Sequence, residues 1–184
     1  APQQMCVFQQ PVRHGNTMTR ITIISGAQTG VDRAALDAAI ACGLDYGGSV
    51  PRGRLAEDGP VAQHYAALTE LNSGDYAVRT RRNVRDADAT LILCPGPPDG
   101  GTALTESIAR RLKRPVLVVD IDRETRRAVI KRIRAWLDAQ EPAILNIAGP
   151  RESRYPGVYT RVRDMLEKLF RELFSEHPRG GKRG

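Results

Sequence analysis

The sequence predicts an α/β protein, a Rossmann-like, doubly wound and mostly parallel sheet in a single domain. Three observations carry this. Short β-branched runs, RITIIS at residues 20–25, TLILC at 90–94, PVLVVD at 115–120 and AILNIA at 143–148, alternate with longer stretches of helical periodicity. No tight hairpin signal joins one run to the next, so each return to the sheet passes through a helix and neighbouring strands run parallel. With 184 residues and 41% hydrophobic content, the chain fills one core but hardly two.

The elements follow in order. The first strand runs into SGAQTGVDRAALD at residues 25–37, a turn between glycines that opens a helix from about Gly30 to Cys42, with Gly43 free to take a left-handed cap. GGSVPRGRLAEDGP at 47–60 holds four glycines and two prolines and reads as a long irregular loop of the kind that carries function. VRTRRNVRDA at 78–87 is helical and leads to TLILC. After PGPPDGGT at 95–102, the run ALTESIARRLKR sets Leu104, Ile108 and Leu112 on one helical face, and PVLVVD is the next buried strand. Asp122 is positioned to cap a helix whose apolar positions are Val129, Ile133, Trp136 and Leu137 and which Pro142 stops. AILNIA is the last strand, GPRESRYPG the last loop, and Val158, Val162, Met165, Leu169 and Leu173 line a closing helix.

Residues 18–175 form the expected ligand-binding domain. Residues 1–17, with no periodicity and four glutamines, read as a flexible extension ahead of Met18, and 176–184 as a basic flexible tail. No apolar stretch approaches the roughly 20 residues of a membrane span, and no secretory pattern opens the chain, so a cytoplasmic protein is expected. Cys6, Cys42 and Cys94 form no C-x-x-C and have no histidine pair nearby, which points to neither a disulfide framework nor a metal site. The 28 Lys+Arg against 21 Asp+Glu leave a net charge of +7, which favours anionic partners. Only four of the 28 are lysines, so position rather than abundance must identify a phosphate site.

Three loops meet that condition. In the first turn Gly26 and Gly30 let the backbone bend and approach a ligand, with Ala27, Gln28 and Thr29 between them, while Thr29 and Asp32 have the spacing of a capping box. A well-capped helix start is the plainer alternative there. Gly100, Gly101 and Thr102 repeat the same strand-to-helix arrangement, in which N–H groups at a helix N-terminus attract an anion. NIAGPRES then adds Asn146, Arg151 and Ser153, the arginine suited to bidentate contact with phosphate. Convergence of three donor-rich loops at one sheet edge points to a phosphorylated ligand. Arg52 and Arg54, with Glu57 and Asp58, sit in the long loop, and Arg81 and Arg85 stand at i,i+4 spacing on the arginine-rich helix. Of these, Arg52 and Arg85 are the candidates for supplying positive charge, against the plainer reading of solvated faces.

The ordered strings SGAQTGVDRAALDAAIACG, VPRGRLAEDGP, RTRRNVRDADATLIL, DGGTALT and LNIAGPRES resemble the family of proposed molybdenum-cofactor carriers, circularly permuted members of the SLOG superfamily. The likeness runs from about Thr19 to Phe174. It implies a Rossmann-like fold that binds a nucleotide or the molybdenum cofactor (molybdopterin), a pterin bearing a phosphate. The superfamily also contains phosphoribohydrolases of the Lonely Guy type, whose P-G-G-x-G-T turn is followed by two consecutive glutamates. Here Leu104 and Thr105 take those places and Glu106 comes one step later, which turns its carboxylate by about 100° on a helix. Ala27 stands where relatives often have glycine.

Three functions follow, in order of preference. The first is a carrier or sensor gripping a phosphate-bearing nucleotide or pterin. The second is a nucleotide-processing hydrolase using Asp32, Glu57, Asp58 or Glu106 as acid or base. The third is single-strand nucleic-acid binding, which the 5% aromatic content disfavours. A homo-oligomer is expected because Met165, Leu166, Leu169, Phe170, Leu173 and Phe174 make a stripe broader than one sheet face needs.

Overall fold

The computed structural model describes residues 21–174. The extension over 1–17 and the tail over 176–184 lie outside the described residues. In chain order the elements are β1 Thr22–Ile24, α1 Val31–Ala41, β2 Asp45–Val50, a short 3-10 turn Arg52–Arg54, β3 Leu55–Ala56, β4 Gly59–Pro60, β5 Leu68–Glu70, α2 Tyr76–Asp86, β6 Ala89–Cys94, α3 Gly100–Arg111, β7 Val116–Asp120, α4 Arg126–Gln140, β8 Ile144–Ala148 and α5 Val158–Phe174. Six strands pair in parallel in the order β5-β2-β1-β8-β6-β7, and β3 and β4 form a small antiparallel hairpin. The fold is the Rossmann-like α/β domain expected.

Strand alternation divides the helices between two faces. Ile21, Ile23, Leu91, Leu93, Leu145 and Ile147 point to the face covered by α1, α4 and α5 and form the main core with them. On the opposite face Val84 of α2 packs with Ile108 and Ala109 of α3. Ala34, Ala35, Ala38 and Ala39 of α1 are fully buried; their small side chains let α5 lie close. Met165, Leu166, Leu169, Phe170 and Leu173 are all buried as well. The broad stripe of α5 is thus consumed within the chain and no longer argues for self-association.

Several local expectations need correction. The segment 47–60 is not one irregular loop: Gly47 and Gly48 belong to β2, and residues 55–60 form the hairpin over a second cluster that includes Ala27, Leu36, Val61 and Tyr65. No capping box opens α1, whose N-cap is Gly30 with φ 75° and no side-chain bond. Thr125, not Asp122, caps α4 by accepting from the Ala128 N–H at 3.3 Å, and Asp122 pairs with Arg161 instead. Leu112 ends α3 and is 45% exposed, and β7 is a half-buried edge strand. Among the described residues no helix is long and apolar enough to cross a membrane.

Candidate functional site

The sheet reverses its winding at β1 and β8. The chain leaving β1 passes through α1 toward β2, while the chain leaving β6 passes through α3 toward β7 on the other side. Loops at the carboxyl ends of these strands therefore diverge, and ligands of open α/β sheets bind in the crevice this leaves. A cleft of about 480 Å³ occupies that place.

One wall is the start of α3. Its N-cap, Asp99, makes no side-chain cap bond and pairs with Arg154 at 2.6 Å instead. The first N–H groups of the helix lack intrahelical partners by geometry. A Cβ placed at Gly100 or Gly101 would meet nothing within 4 Å. The helix start is thus uncapped and open to the cleft.

The opposite wall is α2, whose Tyr76, Arg79, Thr80 and Asn83 line the cleft at i, i+3, i+4 and i+7 spacing. Asn83 fastens the helix to β2, accepting from the Ser49 N–H at 2.7 Å and donating Nδ2 to the Ser49 carbonyl at 3.2 Å. Arg79 lies flat over Gly26, where a Cβ would fall 1.4 Å from Nη1. Its Nη1 donates to Asp32 Oδ2 at 2.9 Å, with the two side chains 13% and 5% exposed. Burial pushes the Asp32 carboxyl above the usual carboxylate range, against the pull of Arg79 and of the Gln28 and Gly149 N–H groups. Tyr76 stands at the mouth, 37% exposed, its ring 5.8 Å from the Arg79 guanidinium carbon.

Behind the cleft a polar knot binds three loops together. Gln28 Oε1 accepts from the Thr29 N–H at 3.0 Å and the Glu57 N–H at 2.9 Å. Glu57 accepts from the Thr29 and Ser153 hydroxyls and from the Ser153 N–H at 3.2 Å, with Arg151 Nη1 at 3.7 Å. Desolvation opposes the Glu57 charge, but the Ser153 and Thr29 hydrogen bonds and Arg151 outweigh it and hold the carboxyl below its usual range. The Glu152 N–H donates to Thr29 Oγ1 at 3.1 Å. The SGAQTG, VPRGRLAEDGP and AGPRES strings are in this way parts of one hydrogen-bonded unit.

Of the residues expected at the site, Gly26, Gln28, Asp32, Gly100, Gly101, Thr102, Asn146, Arg151 and Ser153 line the cleft. Ala27, Thr29, Gly30, Arg52 and Arg85 do not. Ala27 is fully buried with φ 56°, a left-handed conformation that glycine adopts without strain. Thr29 is spent on Glu57, and a Cβ at Gly30 would fall 2.4 Å from the Pro150 carbonyl. Arg52 is exposed on the short 3-10 turn, and Arg85 points outward to Asp86 at 3.0 Å. Sequence reasoning missed Arg79, Tyr76 and Thr80. Their signal was the polar stripe on one face of α2, in which Arg81 and Arg85 do not take part.

The two glycine turns do not close on one phosphate. β8 lies between β1 and β6, so the turns stand two strand spacings apart, about 10 Å. Donors of the first turn are also committed: the Val31 N–H to the Pro150 carbonyl at 3.1 Å, Thr29 to Gln28, and Gln28 to Asp32. The acidic residues of the lining, Asp32 and Asp99, are both paired with arginine. Leu104 and Thr105 occupy the lining, while Glu106 turns to Arg110 at 2.6 Å.

A doubly wound sheet with its cleft at the switch point is the layout of a Rossmann-like ligand-binding protein. The chain belongs to the circularly permutated YpsA SLOG family, whose model matches residues 23–170. It is similar to a protein from Syntrophus aciditrophicus SB, a proposed molybdenum carrier, whose crystal structure is solved. The two share 43% sequence identity over 88% of this chain and 97% of the other, with a TM-score of 0.80. Among curated proteins none matches the chain.

Proposed function

We propose that the protein binds a phosphate-bearing small molecule, nucleotide-derived or a pterin, and acts as a carrier or sensor rather than a hydrolase. The observation that carries this reading is the uncapped start of α3, with open space over Gly100 and Gly101, in a cleft that Arg79 and Arg151 also line. A helix start of this kind offers about half a positive charge and several unpaired N–H donors, which is what a phosphate needs. Glu106, one step past the places that Leu104 and Thr105 take in the lining, turns away to Arg110, which favours binding over hydrolysis.

Family membership and the name of the Syntrophus relative favour the molybdenum cofactor as the cargo. Its phosphate end would suit the open space over Gly100 and Gly101, where a Cβ would meet nothing within 4 Å. Among the described residues no group of three or more His, Cys, Asp and Glu side chains converges to hold a metal. A carried molybdenum would keep its bonds to the cofactor's own sulfurs.

Native mass spectrometry of freshly purified protein, with phosphorus and metal analysis of the same sample, tests the reading. A bound species of small-molecule mass containing phosphorus is expected. Protein that emerges bare, and that takes up neither nucleoside monophosphates nor molybdopterin in equilibrium dialysis, would overturn it.

A further inference from the structure

The face of the sheet that carries α2 and α3 changes character along its length. Away from the cleft it is aliphatic, with Val84 of α2 packed on Ile108 and Ala109 of α3. One helical turn nearer the cleft the same stripes carry hydroxyls: Thr80 precedes Val84 by four residues, and Thr105 precedes Ala109 by four. Thr102 lies a further turn up α3. Asn146 of β8 faces the same way, since its neighbours Leu145 and Ile147 point into the main core on the other side. Thr80, Thr102, Thr105 and Asn146 all line the cleft, and each is more than nine-tenths buried.

Helix faces turned to a sheet are ordinarily aliphatic, and burying a hydroxyl or amide without a partner is unfavourable. Thr105 has an internal use, donating from Oγ1 to the Gly101 carbonyl at 2.8 Å. The other three do not. Among the described residues the hydroxyls of Thr80 and Thr102 have no hydrogen-bond partner, and the amide of Asn146 makes one long bond, from Nδ2 to Thr90 Oγ1 at 3.4 Å. Either orientation of that amide sets one end on Thr90 and leaves the other to the cleft. Unlike the nitrogens Gln28 Nε2 and Arg79 Nε, which are closed off from solvent, these groups keep surface open to the cleft.

Thr102 is the third residue of α3, next to the Gly100 and Gly101 N–H groups proposed for the phosphate, so the polar slot begins where the anion site ends. A threonine hydroxyl and an asparagine amide each offer a donor and an acceptor, and the groups that match them are neutral hydroxyls, which also do both. Resting on the phosphate reading above, we infer that Thr80, Thr102 and Asn146 recognise the vicinal hydroxyls of a sugar ring joined to the phosphate. The ligand class is then a ribose 5-phosphate derivative, which narrows the two classes of cargo to the nucleotide-derived one. A site built to hydrogen-bond a hydroxyl discriminates against the analogue that lacks it, because its own polar groups are left unpaired.

Titration calorimetry of the full chain with inosine monophosphate (IMP), adenosine monophosphate and cytidine monophosphate, each beside its 2′-deoxy and 3′-deoxy forms, is the test. For the base that binds tightest, the ribonucleotide is expected to bind at least about fivefold tighter than either deoxy form, the effect of one neutral hydrogen bond lost without replacement. Thr80→Val keeps the shape and removes the hydroxyl, so the ratio should shrink in that variant. Ribose 5-phosphate alone should compete with the nucleotide, since the sugar and phosphate carry the recognition. Equal affinities of ribo and both deoxy forms in the wild type would overturn the slot and leave the phosphate reading standing. Binding of none of the nucleotides would overturn the inference, and uptake of molybdopterin would then decide the phosphate reading separately. An unchanged ratio in folded Thr80→Val would overturn the assignment of Thr80, and if that variant does not fold, the wild-type comparison decides alone.

Discussion

Arg79 donates from Nη1 to Asp32 Oδ2 at 2.9 Å and joins α2 to the first turn of α1 beneath the cleft. Removing one member of a buried pair strands the other, at a cost of about 3–5 kcal/mol. Arg79→Ala is therefore expected to lower the melting temperature at neutral pH by about 6 °C or more, given roughly 2–4 °C per kcal/mol at this size. The sign with pH follows from Asp32, whose carboxyl already sits above 3.8 in the folded chain. A raised carboxyl contributes stability that is present in acid and lost as pH rises through its folded value. Without Arg79 it rises further, so the variant should approach the wild type as pH falls and Asp32 becomes neutral. A penalty that is constant or grows toward acid would contradict this account of the pair.

Glu57 behaves oppositely. Its carboxyl is held below 4.5, against desolvation, by Ser153, Thr29 and Arg151, so the stability it contributes is present above that value and lost as pH falls through its lower folded one. Glu57→Gln should melt below the wild type near neutral pH by about 2–4 °C, for a loss of about 1 kcal/mol after discounting for solvent screening at this exposed site. The gap should close below pH 4.5. Parallel melting curves from pH 3 to 7 decide it, and a gap that persists in acid would mean the knot does not depend on the Glu57 charge.

Much of this architecture was legible in the sequence because TLILC, AILNIA and the helix periodicities report burial directly. What escaped depended on contacts distant in sequence. β2 was hidden because Gly47 and Gly48 suppress strand composition, and Gly48 is needed where it stands: φ is 125°, and a Cβ would fall 2.1 Å from the Ser25 carbonyl oxygen of β1's outgoing turn. Thr29 and Asp32 have the spacing of a capping box, but tertiary partners, Glu57 and Arg79, claimed both side chains. Arg79 could be told from Arg81 and Arg85 only by asking which helical face also held Tyr76 and Asn83.

Gly48→Ala follows from the same geometry. The clash is with backbone, which cannot rotate away, and the positive φ adds strain, together about 2–5 kcal/mol. The urea midpoint should fall markedly with an unchanged slope. A midpoint matching the wild type would mean that β1 and β2 separate at no cost, contrary to the close approach described.

Gly101→Asp tests the anion end of the cleft. Space for the side chain exists, since a Cβ at Gly101 meets nothing within 4 Å, and an aspartate at a helix start is favourable in itself. The fold should therefore survive, with an unchanged circular dichroism spectrum. The carboxylate would occupy the space where a phosphate approaches α3 and compete for the same N–H groups. Charge-assisted hydrogen bonds are worth about 1.5–3 kcal/mol each, so losing one or two weakens binding by at least tenfold. IMP titrated into wild type and variant gives the comparison. Repulsion between the new carboxylate and the phosphate is screened by salt, so part of the loss should be recovered as ionic strength rises. Unchanged affinity in a folded Gly101→Asp protein would take α3 out of the site and leave Arg151 or Arg154, on the opposite loop, to hold the phosphate.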